Sequence, residues 1–357
     1  MGLPYTEKLL DIACAQRLPV SGTFELTSRC NLDCKMCYIH KRENDFAAVK
    51  AEKDTQWWLQ LLRQACDAGM LTLLLTGGEP FLRPDFCEIY TACKKAGLLV
   101  SVNTNATLLT DEILNTLAKY LPLRVNVSLY GMSDETYFEQ CGQTGVFTRV
   151  TENLRRMKQR GIPLRINYTV TSHNIDDAEA LLAFSTELDI PVHAATYTFP
   201  AVRCAEFGTC NNERCEPETA ALYQRRWERL ANSAEWNQLQ KEKALTALSQ
   251  TTCEEDPSRC RGGLSSWWAS WDGRLLACSM LSKLSVPLDG KLFSEAWEEV
   301  KLQAKQMILP RECRSCPKKP FCEACPAGCF AENGCFTEAP EYLCRKTTEY
   351  LQILSRE

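Results

Sequence analysis

Between residues 21 and 200, short apolar runs alternate with amphipathic stretches, a pattern that predicts strands separated by helices. Residues 21–27, 71–76, 98–103, 124–129, 164–170 and 192–197 read as strands. The run from Leu71 to Thr76 is continuously apolar at strand length, as in a strand covered on both faces. Helices are predicted from about Thr55 to Ala68, from Pro84 to Gly97 and from Thr110 to Lys119. Another opens at Ser133, and two more cover 147–160 and 176–188. Their boundaries carry capping residues (Asp54 or Thr55, Thr110, Ser133) and glycine stops at Gly69, Gly97 and Gly161. Six strands alternating with helices predict a parallel α/β domain, two units short of a closed eight-stranded barrel.

Past residue 200 the pattern changes. Ala201 to Pro217 is irregular, with Cys204, Cys210 and Cys215 at no convincing ligand spacing. Residues 218–230 and 236–248 read as joining helices, and Trp267 to Leu276 as a hairpin turning at Asp272-Gly273. The chain of 357 residues is 45% hydrophobic and 24% charged with net charge −4, which argues against a nucleic-acid surface or an anionic-membrane patch. No apolar run reaches the length of a membrane span, and residues 1–20 have no signal-peptide core. The 21 cysteines are the exception to this ordinary composition, and ten of them lie between Cys253 and Cys344. Without an export signal, that density indicates metal binding in a reducing, cytoplasmic setting.

Cys30, Cys34 and Cys37 stand at x3 and x2 spacing directly after the first strand. Iron–sulfur clusters normally take four thiolates, so three in one loop leave one iron without a protein ligand. A zinc loop is the competing reading, but zinc ribbons pair two C-x2-C knuckles and the x3 gap breaks that pattern. Gly77-Gly78-Glu79-Pro80 follows the second strand, Asn103-Thr104-Asn105 the third and Ser128 the fourth. In parallel barrels the reactive groups come from loops at these strand ends. Asn167 and Tyr197 are further candidates to face the barrel, each equally readable as a satisfied core polar group.

The C-x3-C-x2-C spacing and the following GGEP resemble the radical S-adenosylmethionine (SAM) family. The resemblance implies a partial, three-quarter parallel (β/α)6 barrel. It also implies a [4Fe–4S] cluster on Cys30, Cys34 and Cys37 whose open iron chelates SAM, and reductive cleavage of SAM to a 5′-deoxyadenosyl radical. By the same resemblance Tyr38, Gly77, Gly78, Glu79, Pro80, Asn103, Asn105 and Ser128 bind the cofactor, the glycines letting backbone approach its ammonium group. Tyr130 stands where relatives often have Asp.

Cys260, Gly273 and Cys278, then Cys313, Cys316 and Cys322, resemble the SPASM extension of the same family, a small cysteine-rich domain with one or two auxiliary clusters. Cys325 and Cys329 then depart from the usual single x3 step. The resemblance suggests Cys313, Cys316, Cys322 and Cys344 for a distal cluster. Cys260, Cys278 and either Cys325 or Cys329 would serve a nearer one, completed by Cys253 or left open, with Cys335 unassigned. A zinc-ribbon tail is the alternative. The implied organisation is an extension (1–20), a radical SAM core (21–200), a linker (201–252), a SPASM domain (253–344) and the end of a C-terminal helix (345–357).

Such relatives mostly act on peptides and proteins. The resemblance therefore implies oxidative maturation of a ribosomal peptide by thioether or carbon–carbon crosslinking, with electrons from a flavodoxin or ferredoxin. Sulfatase maturation is the alternative, and Ser279 counts against it because those relatives carry an Asp there. About 20 residues precede the first strand, so a precursor is expected to be recognised at the barrel mouth or by a separate protein. A non-catalytic iron–sulfur carrier is the rival from another class.

Overall fold

The structure is a computed structural model describing residues 4–39, 41–201, 203, 213–251 and 260–357. His40, Cys204, Cys210 and Cys253 lie outside the described residues. Six parallel strands follow one another in chain order: β1 (Ser21–Glu25), β2 (Thr72–Thr76), β3 (Leu99–Thr104), β4 (Arg124–Ser128), β5 (Leu164–Thr169) and β6 (Val192–Ala195). Between them run α3 (Thr55–Asp67), α4 (Phe86–Lys95), α5 (Asp111–Lys119), α6 (Asp134–Cys141), α7 (Val146–Gln159) and α8 (Ala178–Glu187). Asp54, Thr110 and Ser133 cap α3, α5 and α6 through their side chains, as the sequence indicated. A short helix before α3, α2 (Phe46–Ala51), and the N-terminal α1 (Pro4–Gln16) have no counterpart in the sequence reading.

The central strands β3 and β5 alternate between two environments. Val100, Val102, Val125, Val127, Ile166 and Tyr168 are fully buried against the helices, together with Phe24 and Trp58, whose rings lie 4.9 Å apart. Burial of this kind contributes roughly 1.5–3 kcal/mol per large side chain. The alternate positions carry polar residues toward the barrel lumen, such as Asn103, Asn126 and Ser128.

The sheet does not close. On the β1 side it continues into β7 (Ser266–Ala269), parallel to β1, then β8 (Arg274–Leu276) and β9 (Ser285–Pro287). The hairpin of the cysteine-rich segment is therefore part of the barrel's own sheet. Trp267 packs across Gly22, where a Cβ would come within 2.5 Å of its ring. The joining helices α9 (Pro217–Ala231) and α10 (Ala234–Ser249) form an apolar cluster with the last helix of the chain, residues 341–356, through Ala221, Ala244, Tyr350, Leu351 and Leu354. The tail between adds α11 (Phe293–Ala304), α12 (Arg311–Arg314) and α13 (Pro326–Asn333), which makes the last helix α14 (Glu341–Arg356). Among the described residues no helix is long and apolar enough to cross a membrane.

Candidate active site

Each strand end at the C-terminal face delivers one piece of a cavity of about 390 Å³. Cys30, Cys34, Cys37 and Tyr38 line it from the loop after β1, Gly77 and Gly78 from β2, Asn103 and Asn105 from β3, and Ser128 from β4. The same wall includes Thr76, Thr169, Ala195, Tyr197, Phe199 and Met280. Glu79 and Pro80 do not line the cavity.

Glu79 is fully buried and ties the ends of β2 and β3 together. Its carboxylate accepts from Thr104 Oγ1 (2.7 Å), from the Asn105 backbone N–H (2.7 Å) and from the Phe81 N–H (3.0 Å). Burial pushes its pKa from the ordinary 4.5 up to about 7, against the three hydrogen bonds. Glu79→Ala would leave three donors unmet in a dry site and should cost about 3 kcal/mol or more in denaturant unfolding, with Glu79→Gln milder. The pH dependence has a definite sign. The unfolded chain releases this proton first, so the contribution is present in full below about pH 4.5 and is lost as pH rises through about 7. Wild-type stability relative to Glu79→Gln should therefore fall by about 3 kcal/mol across that window.

The two glycines are also needed for close packing within the chain itself. A Cβ on Gly78 would meet the Arg29 carbonyl oxygen at 2.3 Å, and one on Gly77 the Thr27 oxygen at 2.5 Å. The segment entering the cysteine loop lies flat on this turn, with Gly78 N–H donating to Thr27 O (2.8 Å) and Glu79 N–H to Arg29 O (2.9 Å). Arg29 is held in turn by a two-pronged ion pair with Glu52 (2.7 and 3.0 Å).

The far side of the loop rests on the end of α6. Asp33 and Lys35 N–H groups donate to the Cys141 and Gln140 carbonyls, and the Cys34 sulfur lies 3.5 Å from that of Cys141. Asn105 Nδ2 faces both Asn31 Oδ1 (3.1 Å) and the Cys30 sulfur (3.6 Å). Burial, with the neighbouring Cys34 and Glu79 adding to it, raises the Cys30 thiol pKa; the Cys141 thiol, then burial, raise that of Cys34. Behind Tyr38, the buried Arg203 pairs with Glu25 (2.8 and 3.0 Å) and lies over the Trp271 ring at 4.9 Å.

A second thiol region follows in the tail. Cys260, Cys278 and Cys325 share an apolar cluster with Tyr38, Phe199 and Met280, directly behind the first cavity. Cys313, Cys316, Cys322 and Cys344 line a separate cavity of about 230 Å³ with Lys318 and Thr347. Cys329 is buried with its thiol against Cys313, and Cys335 lies near Thr337 and lines neither cavity. Burial raises the pKa values of Cys278 and Cys344 to about 11.

Residues 24–185 match the radical SAM superfamily. A PqqA peptide cyclase of Ruegeria pomeroyi is 30% identical over 315 residues, covering 84% of this chain and 80% of its own length. The chain belongs to the radical SAM superfamily. A second relative, an AdoMet-dependent heme synthase of Methanosarcina barkeri, is 28% identical over 89% of this chain and 94% of its own length. Among solved structures, Streptococcus suis SuiB bound to precursor peptide SuiA superposes with a TM-score of 0.68 at 17% identity, over 96% of this chain and 82% of that one. The structure of anSMEcpe with AdoMet and a peptide superposes at 0.64 and 16%, over 94% and 96%. At those identities the likeness is one of fold: a partial parallel barrel with a cysteine-rich C-terminus.

A radical SAM enzyme takes a [4Fe–4S] cluster and SAM, and the residues present fit both. Three thiols open onto one cavity, and its wall combines apolar side chains with the polar ends of Asn103, Ser128 and Thr169. Among the described residues no three His, Cys, Asp or Glu side chains are drawn in to the spacing of a single-ion site. A four-iron cluster is a wider body than one ion. Because each thiol must lose its proton to ligate iron, the raised pKa values make loading proton-releasing and favoured by higher pH.

Thr169 and Ala195 were not singled out from the sequence; they end β5 and β6, whose predicted ends ran slightly further. Tyr197, named there as a possible lumen residue, lines the cavity and donates to Glu332 (2.9 Å). Cys141, Gln140 and Met280 reach the site through tertiary packing and leave no local signal.

Proposed function

We propose that this radical SAM enzyme modifies a peptide or protein, by oxidative crosslinking of a ribosomal peptide through a thioether or carbon–carbon bond. The observation that carries the reading is the 30% identity to a peptide cyclase along most of both chains. In this reading Cys30, Cys34 and Cys37 hold three irons of the first cluster. Gly77, Gly78, Asn103, Asn105 and Ser128 shape the cofactor side of the cavity, and Tyr38, Tyr197, Phe199 and Met280 keep water from the reacting carbon. When bound, the cluster and SAM supply the electron transfer and the hydrogen abstraction, chemistry no side chain here can perform. Glu79 and Pro80 act by positioning the loop.

The tail thiols are assigned as auxiliary ligands: Cys260, Cys278 and Cys325 nearer the cavity, and Cys313, Cys316, Cys322 and Cys344 farther out. Cys329, against Cys313, serves as an alternative ligand in this scheme. An external flavodoxin or ferredoxin supplies the electron. Sulfatase maturation fits less well, because the buried Ser279 offers no carboxylate base. Haem formation is a second reading, favoured by the extent of the likeness to the heme synthase.

The test is anaerobic incubation of reconstituted enzyme with SAM, dithionite and the short peptides encoded beside its gene. A peptide lighter by two hydrogens, formed together with 5′-deoxyadenosine, is expected. Turnover of an iron porphyrin and of no peptide would overturn the reading in favour of the second.

A further inference from the structure

The lumen beneath the cavity carries unmatched positive charge. Counting down β5 from Thr169, the inward positions are Asn167 and then Arg165; on β4 they run from Ser128 through Asn126 to Arg124. Cross-strand register sets Asn126 beside Arg165, and Asn167 beside His193 on the open-edge strand β6. Four residues of strand place Arg124 and Arg165 about 13 Å below the strand ends that line the cavity.

Arg124 Nε donates to Asn126 Oδ1 (2.9 Å), and Asn126 Nδ2 donates to Asn103 Oδ1 (2.7 Å), a polar chain leading up to the cavity wall. Arg165 Nε and Asn167 Oδ1 are buried without a hydrogen-bond partner. Among the described residues no carboxylate forms a salt bridge with Arg124, Arg165 or His193; Glu323, whose charge reaches His193, is paired with Lys346. Burial and the neighbouring Arg124 lower the Arg165 pKa, the signature of like charges facing one another. Elsewhere the fold avoids this arrangement, since the buried Glu25 and Arg203 neutralise each other. Two guanidinium cations turned inward, one with its Nε left over, form a receptor for an anion that the bare chain does not supply. The planar fork of arginine suits a carboxylate.

We propose that Arg124 and Arg165, with the exposed His193 ring at the open edge, form a substrate subsite on the lumen floor that holds a carboxylate, with the reacting carbon held above it beside the cysteine loop. The proposal rests on the peptide-modification reading for the source of that carboxylate, an acidic side chain or the C-terminus of the peptide.

The test uses the reconstituted holoprotein with SAM, measuring its unfolding midpoint and its calorimetric binding of glutarate against the uncharged glutaramide. Glutarate should raise the midpoint and glutaramide should not. Arg165→Gln and Arg124→Gln should each weaken glutarate binding about ten- to a hundredfold. Arg165→Gln should also unfold at a higher midpoint than wild type without ligand, because it removes a partly buried cation whose Nε has no partner. Equal responses to the two probes, unchanged glutarate binding in both variants, or ligand-free destabilisation of Arg165→Gln would each overturn the proposal. Two further probes separate the sources, N-acetylglutamate α-amide for a peptide side chain and haemin for propionates. If haemin alone binds in an Arg165-dependent way, the subsite stands and the peptide reading falls. A peptide converted with the same KM by wild type and Arg165→Gln would do the opposite.

Discussion

Gly78→Ala should remove iron from the first cluster site and abolish SAM binding, although it adds one methyl group. The added carbon would lie 2.3 Å from the Arg29 carbonyl oxygen, 2.6 Å from its carbon and 2.7 Å from the Ser28 oxygen. All three are backbone atoms, so no rotamer change relieves the overlap. The strand-end segment must move away from β2, and Cys30, the next residue, moves with it. Overpacking of this sort costs about 1–3 kcal/mol, which the remainder of the barrel can absorb. The expected result is thus a folded protein with slightly lowered stability and a first site that no longer loads. Iron analysis, cluster absorbance and calorimetric SAM titration would check it. Gly69→Ala is the control, since that glycine ends α3 with open space around it and a positive φ of 99°, and should affect stability alone.

Cys34→Ala should reduce 5′-deoxyadenosine formation to background and lower the iron content by one cluster's worth. Cys34 is the most enclosed of the three loop thiols, and its loss leaves two ligands where the donor set already has one too few. The neighbouring Cys141 does not replace it. That sulfur belongs to a fully buried residue at the end of α6 and is not among the groups lining the cavity. Cys66→Ala, on the half-buried face of α3 and away from the cavity, should leave iron content unchanged. A loss of iron in both variants would point to general sensitivity to thiol removal.

Much of this arrangement was legible in the chain because the barrel writes its geometry locally. Alternating runs such as Leu-Val-Ser-Val-Asn-Thr fixed β3, while capping residues and glycines located the helix ends within a few positions. The cysteine triad and Gly77-Gly78 were visible because chemistry confined them to one loop and one turn. The residues that escaped notice act across the fold. α1 has little apolar surface to bury, exposing Leu9 and Ile12, and is held by contacts such as Cys14 with Ser265 (3.0 Å). That the tail's hairpin joins the barrel sheet beside β1 depends on Trp267 finding Gly22, 245 residues earlier, a pairing no periodicity reveals. The cationic lumen floor was equally hidden. Arg124 and Arg165 lie far apart in the chain and come near each other only through the pairing of β4 with β5.

The central claim is that the loop after β1 leaves one iron of a four-iron cluster open to SAM. The most direct measurement is chromatographic detection of 5′-deoxyadenosine after anaerobic reconstitution with iron and sulfide, reduction with dithionite and addition of SAM. The account predicts that product from the wild type and none from Cys34→Ala. A wild-type protein that takes up zinc alone, or carries its clusters and leaves SAM intact under every reductant, would contradict it.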